Sequence, residues 1–207
     1  MSRADAPARP DVLAGAARLG RRWLPIWIVA GVIAVTVLGG FVTAAALPAP
    51  DVRSISVGGA VRVHPPPGWA VVRQDRVTVP DPAGGTLAGS FAQLSRGSGA
   101  LDVLAIDGLG GSADGAAAYY AEAILGRQLE RLAVSSFTHV VLRSGLPAAR
   151  FGYVGTEPDA GAAIEGSVTV AVGASGVVVM FDGWGFEGQL GPIAEELERM
   201  IGTAEVR

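Results

Sequence analysis

Cysteine, lysine and asparagine are all missing from this chain of 207 residues. Without cysteine there is no disulfide, no thiolate metal site and no lipid-modified cysteine anchor, on whichever side of a membrane the protein sits. Without asparagine there is no N-glycosylation acceptor. All 16 basic residues are arginine, and with 30 glycines and abundant alanine the composition reads as a GC-rich bacterial coding bias. Histidine is scarce as well. His64 and His139 are the only two, and neither has an acid or a second histidine at ligand spacing in the sequence, which removes the usual basis for a metal centre. No GxSxG nucleophile elbow occurs; Gly97-Ser98-Gly99 reads as a turn.

What is present first is a long stretch without charge. Residues 23–50, 28 in all, contain no ionisable side chain. A helix rising about 1.5 Å per residue needs roughly 20 apolar residues to cross a hydrocarbon core of about 30 Å. Residues 23–47 are therefore read as a transmembrane helix or signal anchor, with Trp23 and Trp27 suited to an interfacial belt. Residues 1–22 form a basic tail, 48–54 a short proline-stiffened linker, and 55–207 one domain of ordinary size. Ala44-Ala45-Ala46 resembles a cleavage site. The apolar run nevertheless exceeds the roughly 7–15 residues of a signal-peptide core, and the tail is long for an n-region, so a retained anchor is the preferred reading.

Charge sets the orientation. Five arginines against Asp5 and Asp11 give the tail +3, whereas the eleven later arginines against 17 acids give the rest −6. Arg18, Arg21 and Arg22 precede the span directly, so the positive-inside rule places the N-terminus in the cytoplasm and the domain outside, on a single-pass protein of the cell membrane. A domain of net negative charge is a poor match for nucleic acid.

The domain reads as strands, a helix, more strands and a closing helix. Ile55, Val57, Val61 and Val63 alternate around Gly58-Gly59, which suggests a strand or tight hairpin ended by Pro65-Pro66-Pro67. Strands are expected over 69–73, 77–79, 86–94 and 101–106. Ser112 is a plausible N-cap for a helix to about residue 132, with Ala121, Ile124, Leu125, Leu129 and Leu132 on its apolar stripe. Further strands are expected over 137–142 and 149–154, then a hairpin over 164–172 and 177–181 turned by Gly173-Ala174-Ser175-Gly176. Gly191-Pro192 opens a last helix whose Ile193, Leu197, Met200 and Ile201 share one face. The fold class is α+β, a largely antiparallel sheet flanked by helices.

The segment Val61-Arg62-Val63-His64-Pro65-Pro66-Pro67-Gly68-Trp69-Ala70-Val71 resembles the opening of the PsbP-like superfamily, and Gly145-Leu146-Pro147-Ala148-Ala149, the long hairpin and the closing helix continue the resemblance over most of residues 55–203. It implies an α-β-α sandwich and a binding or assembly role. It carries no functional residue across, because members of that superfamily differ in partner.

Candidate chemistry is thin. Gly183-Trp184-Gly185-Phe186-Glu187-Gly188 matches GxGxxG, but only 19 residues follow it, too few for the second strand a dinucleotide site requires. A glycine loop with Trp184 packed in it is the preferred account. Asp102 and Asp107 fall on opposite faces of one strand, and Glu195, Glu196 and Glu198 read as a solvated helix face, so paired carboxylates find no local support. Tyr119-Tyr120 reads as core and rim packing rather than a ligand wall. No catalytic, cofactor-binding or metal-binding residue is assigned, and no cofactor is expected. The expectation is a non-catalytic, membrane-tethered extracytoplasmic binding or assembly module of the bacterial envelope, with the bilayer and envelope or membrane proteins as partners. The alternative is a carrier or sensor of an apolar small molecule, motivated by Trp69, Trp184 and Phe186 as exposed aromatics. A third reading, an envelope hydrolase, needs a triad assembled from distant positions.

Overall fold

The structure, a computed structural model, describes residues 54–207. The basic tail, the expected span 23–47 and most of the linker 48–54 lie outside the described residues. Among the described residues no helix is long and apolar enough to cross a membrane.

The first hairpin pairs β1 (Ile55–Val57) with β2 (Val61–Val63). Its turn carries Gly58 and Gly59 at φ of 60° and 73°, two successive left-handed residues as a type I′ turn requires. An antiparallel meander follows: β3 (Ala70–Pro80), β4 (Thr86–Arg96) and β5 (Gly99–Ile106). The two short strands expected over 69–73 and 77–79 are one continuous strand. β3 lies at the sheet edge and pairs only with β4, so Gln74, Asp75 and Arg76 stand in water and do not interrupt it. Charges on an edge also discourage pairing with other chains.

Ser112 caps α1 (Ala113–Tyr119) by accepting the Gly115 N–H at 3.1 Å. The helix widens into a π-helical stretch, Tyr120–Leu125, and ends with a single turn, α2 (Gly126–Gln128). It stops short of the expected residue 132, because Leu129 is already extended at φ −120° and ψ 136° and β6 (Glu130–Val134) begins. A bulge explains why Leu129 and Leu132, three apart, still reach the same core. Arg131 adopts φ 51° and the register shifts between Glu130 and Ala133, so one extra residue turns helical-looking spacing into a strand with both leucines on one side.

The second half contains β7 (Thr138–Val141), β8 (Pro147–Thr156), β9 (Ala163–Val172), β10 (Val178–Phe186), α3 (Gly191–Gly202) and β11 (Glu205–Val206). β10 runs five residues past the expected end at 181, so Gly183 and Gly185 lie in a strand rather than in a phosphate-binding loop. A Cβ on Gly183 would sit 3.0 Å from Leu197 Cδ1, which identifies this glycine as the place where α3 rests against the sheet.

The large sheet has the order β3-β4-β5-β10-β9-β8-β6, with β7 pairing the end of β8, and its ladders are antiparallel. The α+β expectation of a mostly antiparallel sheet with few helices is met. β1, β2 and β11 form a separate small sheet. Both faces of the large sheet carry core. On one, Leu94, Val103 and Phe181 pack with β1, β2 and the Leu197, Met200 and Ile201 face of α3. On the other, Leu104, Phe151, Val168 and Met180 pack under Ala116, Ala117, Tyr120 and Leu125. The acids of α3 are not all solvated as expected. Trp69 donates its indole N–H to Glu196 at 2.7 Å, Arg96 pairs with the same carboxylate, and Arg150 reaches Glu198 at 2.8 Å. The Trp69 hydrogen bond first, and the Arg96 contact second, hold Glu196 below the usual carboxylate range.

Candidate functional site

The side chains with perturbed chemistry sit in the middle of the sheet, under the first helix. Alternation along β5 puts Ala100, Asp102, Leu104 and Ile106 on that face, and alternation along β10 puts Val178, Met180, Asp182 and Trp184 beside them. In the β5–β10 ladder Asp182 stands directly opposite Asp102, and on the next strand Gln93 stands opposite Asp102. Directly opposed residues on neighbouring antiparallel strands hold their Cβ atoms roughly 4.5–5.5 Å apart. Two carboxylates are therefore neighbours in a row that continues through Val168 and Phe151.

Two tyrosines close over Asp182. Tyr120, at the start of the π-helical stretch, donates its hydroxyl to Asp182 Oδ2 at 2.9 Å. Tyr153, from β8, lies 3.0 Å from Oδ1 and 3.2 Å from Oδ2. It reaches there by crossing Gly166, its partner on β9, where an added Cβ would fall 2.4 Å from the tyrosine ring. Asp102 is held differently. Its Oδ2 accepts the Trp184 indole N–H at 3.1 Å, while its Oδ1 is buried without a hydrogen bond. Asp182 is only 4% exposed, and Gln93, Tyr120, Tyr153 and Trp184 are buried with it. Arg73 is the positive charge that acts on Asp102; it also stacks 5.6 Å from the Phe91 ring and pairs with Asp75.

Burial governs the electrostatics. Removal from water pushes the Asp102 carboxyl up to about 7, against the pull of Gln93, Trp184 and Arg73. Asp182 is pushed up to about 8, by burial first and by the neighbouring Asp102 second, against its two tyrosine hydrogen bonds. Burial, followed by the Asp182 charge, also raises both tyrosine hydroxyls well above their ordinary value, so they remain donors. The two carboxyls titrate as a pair. Such a pair can hold and release a proton. A cleft of about 550 Å³, lined by Gly58, Gln74, Arg76, Ser90 and Asp107 among others, lies on the opposite face of the sheet.

Of the residues weighed in the sequence, Asp102, Tyr120 and Trp184 meet in this cluster and the others fall elsewhere. Asp107 follows β5 and lies apart from Asp102, and the partner of Asp102 comes from 80 residues further on. His64 stands 3.4 Å from Glu205, and His139 stands 3.0 Å from Asp114, both at the surface. Among the described residues no group of three or more His, Cys, Asp or Glu could hold a metal ion. Tyr119 donates to the Pro80 carbonyl at 2.6 Å. Trp69 and Trp184, expected as exposed aromatics, are 2% and 5% exposed and belong to cores on opposite faces, so they share no ligand wall. Local spacing missed the acid pair. Each acid does have a local signature, a lone charge at an inward position of an otherwise apolar strand.

No protein-family profile matches the chain, and no curated protein is similar to it.

Proposed function

We propose that this chain is a membrane-tethered, non-catalytic binding or assembly module acting on the outer face of a bacterial cell membrane, with envelope or membrane proteins as partners. One observation carries the reading: the perturbed acids lie in the middle of the sheet under a helix, with Asp182 buried and clamped by two tyrosines, a placement that shapes and stabilises the domain. The charge-free stretch 23–50 and the arginines before it supply the tether and its orientation. The PsbP-like arrangement belongs to the same proposal; a helix on each face of an antiparallel sheet supports it.

The far edge of the sheet is the region for contact. Val134, Val141 and Val154 are 38%, 71% and 50% exposed on β6, β7 and β8, and they are the large apolar residues left open among the described residues. Photo-crosslinking groups placed at Val141 and at Val154 of the full chain, in living cells, are expected to give discrete adducts containing the same protein at both positions. Adducts equally frequent from Thr78 on the opposite edge, or none at any position, would remove the support for an assembly role.

A further inference from the structure

We propose that Asp102 and Asp182 form a proton-operated latch: a proton retained by the pair keeps the α1–π–α2 layer seated on the sheet, and its loss at alkaline pH loosens that layer.

The register sets the condition. Two carboxylates directly opposite each other in a ladder, one of them buried, repel strongly when both are ionised, which disfavours the doubly charged state. The hydrogen bonds show how one proton is accommodated. Both oxygens of Asp182 accept from tyrosines, which suits the ionised partner. Asp102 accepts the Trp184 indole N–H through Oδ2, with Gln93 also favouring its ionised form, and its Oδ1 leaves room for the proton that the pair shares. Burial, which pushes both carboxyls up to about 7 and about 8, supports retention at neutral pH.

The polar and charged groups facing the pair come from five elements, while β9 places the apolar Val168 beside Asp182. β3 contributes Arg73, β4 Gln93, β8 Tyr153, β10 Trp184 and the helix layer Tyr120. Arg73 is the one cation among these groups; it favours the ionised form of Asp102, while it also pairs with Asp75 and stacks on Phe91. When the pair loses its proton, water must enter. Splitting β5 from β10 would break a ladder of eight register pairs. Lifting the helix layer instead costs the contacts of Ala116, Ala117 and Ala121, small side chains that bury little each, together with those of Tyr120 and Leu125. The layer is also the irregular part of the fold, with a π-helical stretch of a kind often found at functional sites. Because Tyr120 is both in that stretch and bound to Asp182, the proton and the layer are directly connected.

The test is amide hydrogen exchange of the full chain in detergent micelles at pH 6 and pH 9, corrected for intrinsic base catalysis, with α3 as internal reference. Protection over residues 113–128 is expected to fall at least about tenfold more than over 191–202, and Asp102→Asn, which keeps the shape but has no acid proton to lose, is expected to abolish that excess. Equal loss in both helices, no loss over 113–128, or the same excess in the variant would each overturn the latch. A carboxyl-carbon NMR titration gives a readout that does not depend on how the variant folds. The wild-type pair is expected to retain a proton at pH 7; two carboxyls both ionised by pH 5 would overturn the proposal.

Discussion

Asp102→Asn is expected to raise the stability of the domain at pH 9 by about 3 kcal/mol while leaving it close to wild type at pH 5. Both folded-state values lie above the ordinary 3.8, so the native protein binds more protons than the unfolded chain between pH 4 and 8. Stability contributed by those protons is complete below about pH 4 and is lost as pH rises through about 7 and 8. Each retained proton is worth about 1.4 kcal/mol per pH unit before water entry and relaxation reduce it, which is why a loss of about 3 kcal/mol is expected rather than the larger formal sum. Asparagine removes one of the opposed charges and can place an amide N–H donor where the acid has only oxygens. Urea unfolding at a series of pH values checks this. A variant less stable than wild type at pH 9, or a wild-type protein equally stable at pH 5 and 9, would contradict the electrostatic account.

Gly166→Ala is expected to cost about 3 kcal/mol at any pH, combining overpacking with the loss of a hydrogen bond to a charged group. The new methyl would lie 2.4–2.5 Å from Cζ, Cε1 and the hydroxyl of Tyr153. That ring has no easy retreat, because it is buried and its hydroxyl is engaged by both oxygens of Asp182. The backbone of Gly166 itself is ordinary strand, so the expected damage comes from the tyrosine alone. A double-mutant cycle separates the two: in a Tyr153→Ala background the same glycine substitution should cost less than half as much. If Gly166→Ala unfolds within about 0.5 kcal/mol of wild type, the ring is free to move and the clamp on Asp182 is weaker than its geometry implies.

Much of the fold was legible because short-range rules govern it. Two consecutive glycines announced the β1–β2 turn, Ser112 announced its helix, and the valine-rich alternation of β9 and β10 announced their hairpin. The errors arose where tertiary context overrides such rules. Gln74-Asp75-Arg76 looks like a break until one knows that β3 has only one neighbour. Leu129 and Leu132 carry helical spacing until a bulge at Arg131 adds a residue to β6. Gly183-Trp184-Gly185 looks like a loop until α3 is seen to need the room above Gly183. The carboxylate pair was hidden for a stronger reason. Asp102 and Asp182 belong to different halves of the chain, and only the register of one ladder makes them neighbours. The sole local trace was an acid in each of Leu101-Asp102-Val103 and Phe181-Asp182-Gly183, facing inward by the same alternation that buries Leu104 and Met180.

That ladder also sets an order of assembly. The strands β3, β4 and β5 meet through successive short connections, as do β8, β9 and β10, whereas β5 and β10 are far apart in sequence and join the two meanders at a single seam. Local pairings close quickly and distant ones slowly, so docking along the seam is the late event. Docking forces two acids, each ionised in the open chain, into contact. The collision is therefore productive only when it takes up a proton, and the refolding rate should decline as hydroxide replaces acid in the medium. On the outer face of a membrane, where we propose the domain lies, the chain would complete its sheet at a speed set by the acidity it meets there.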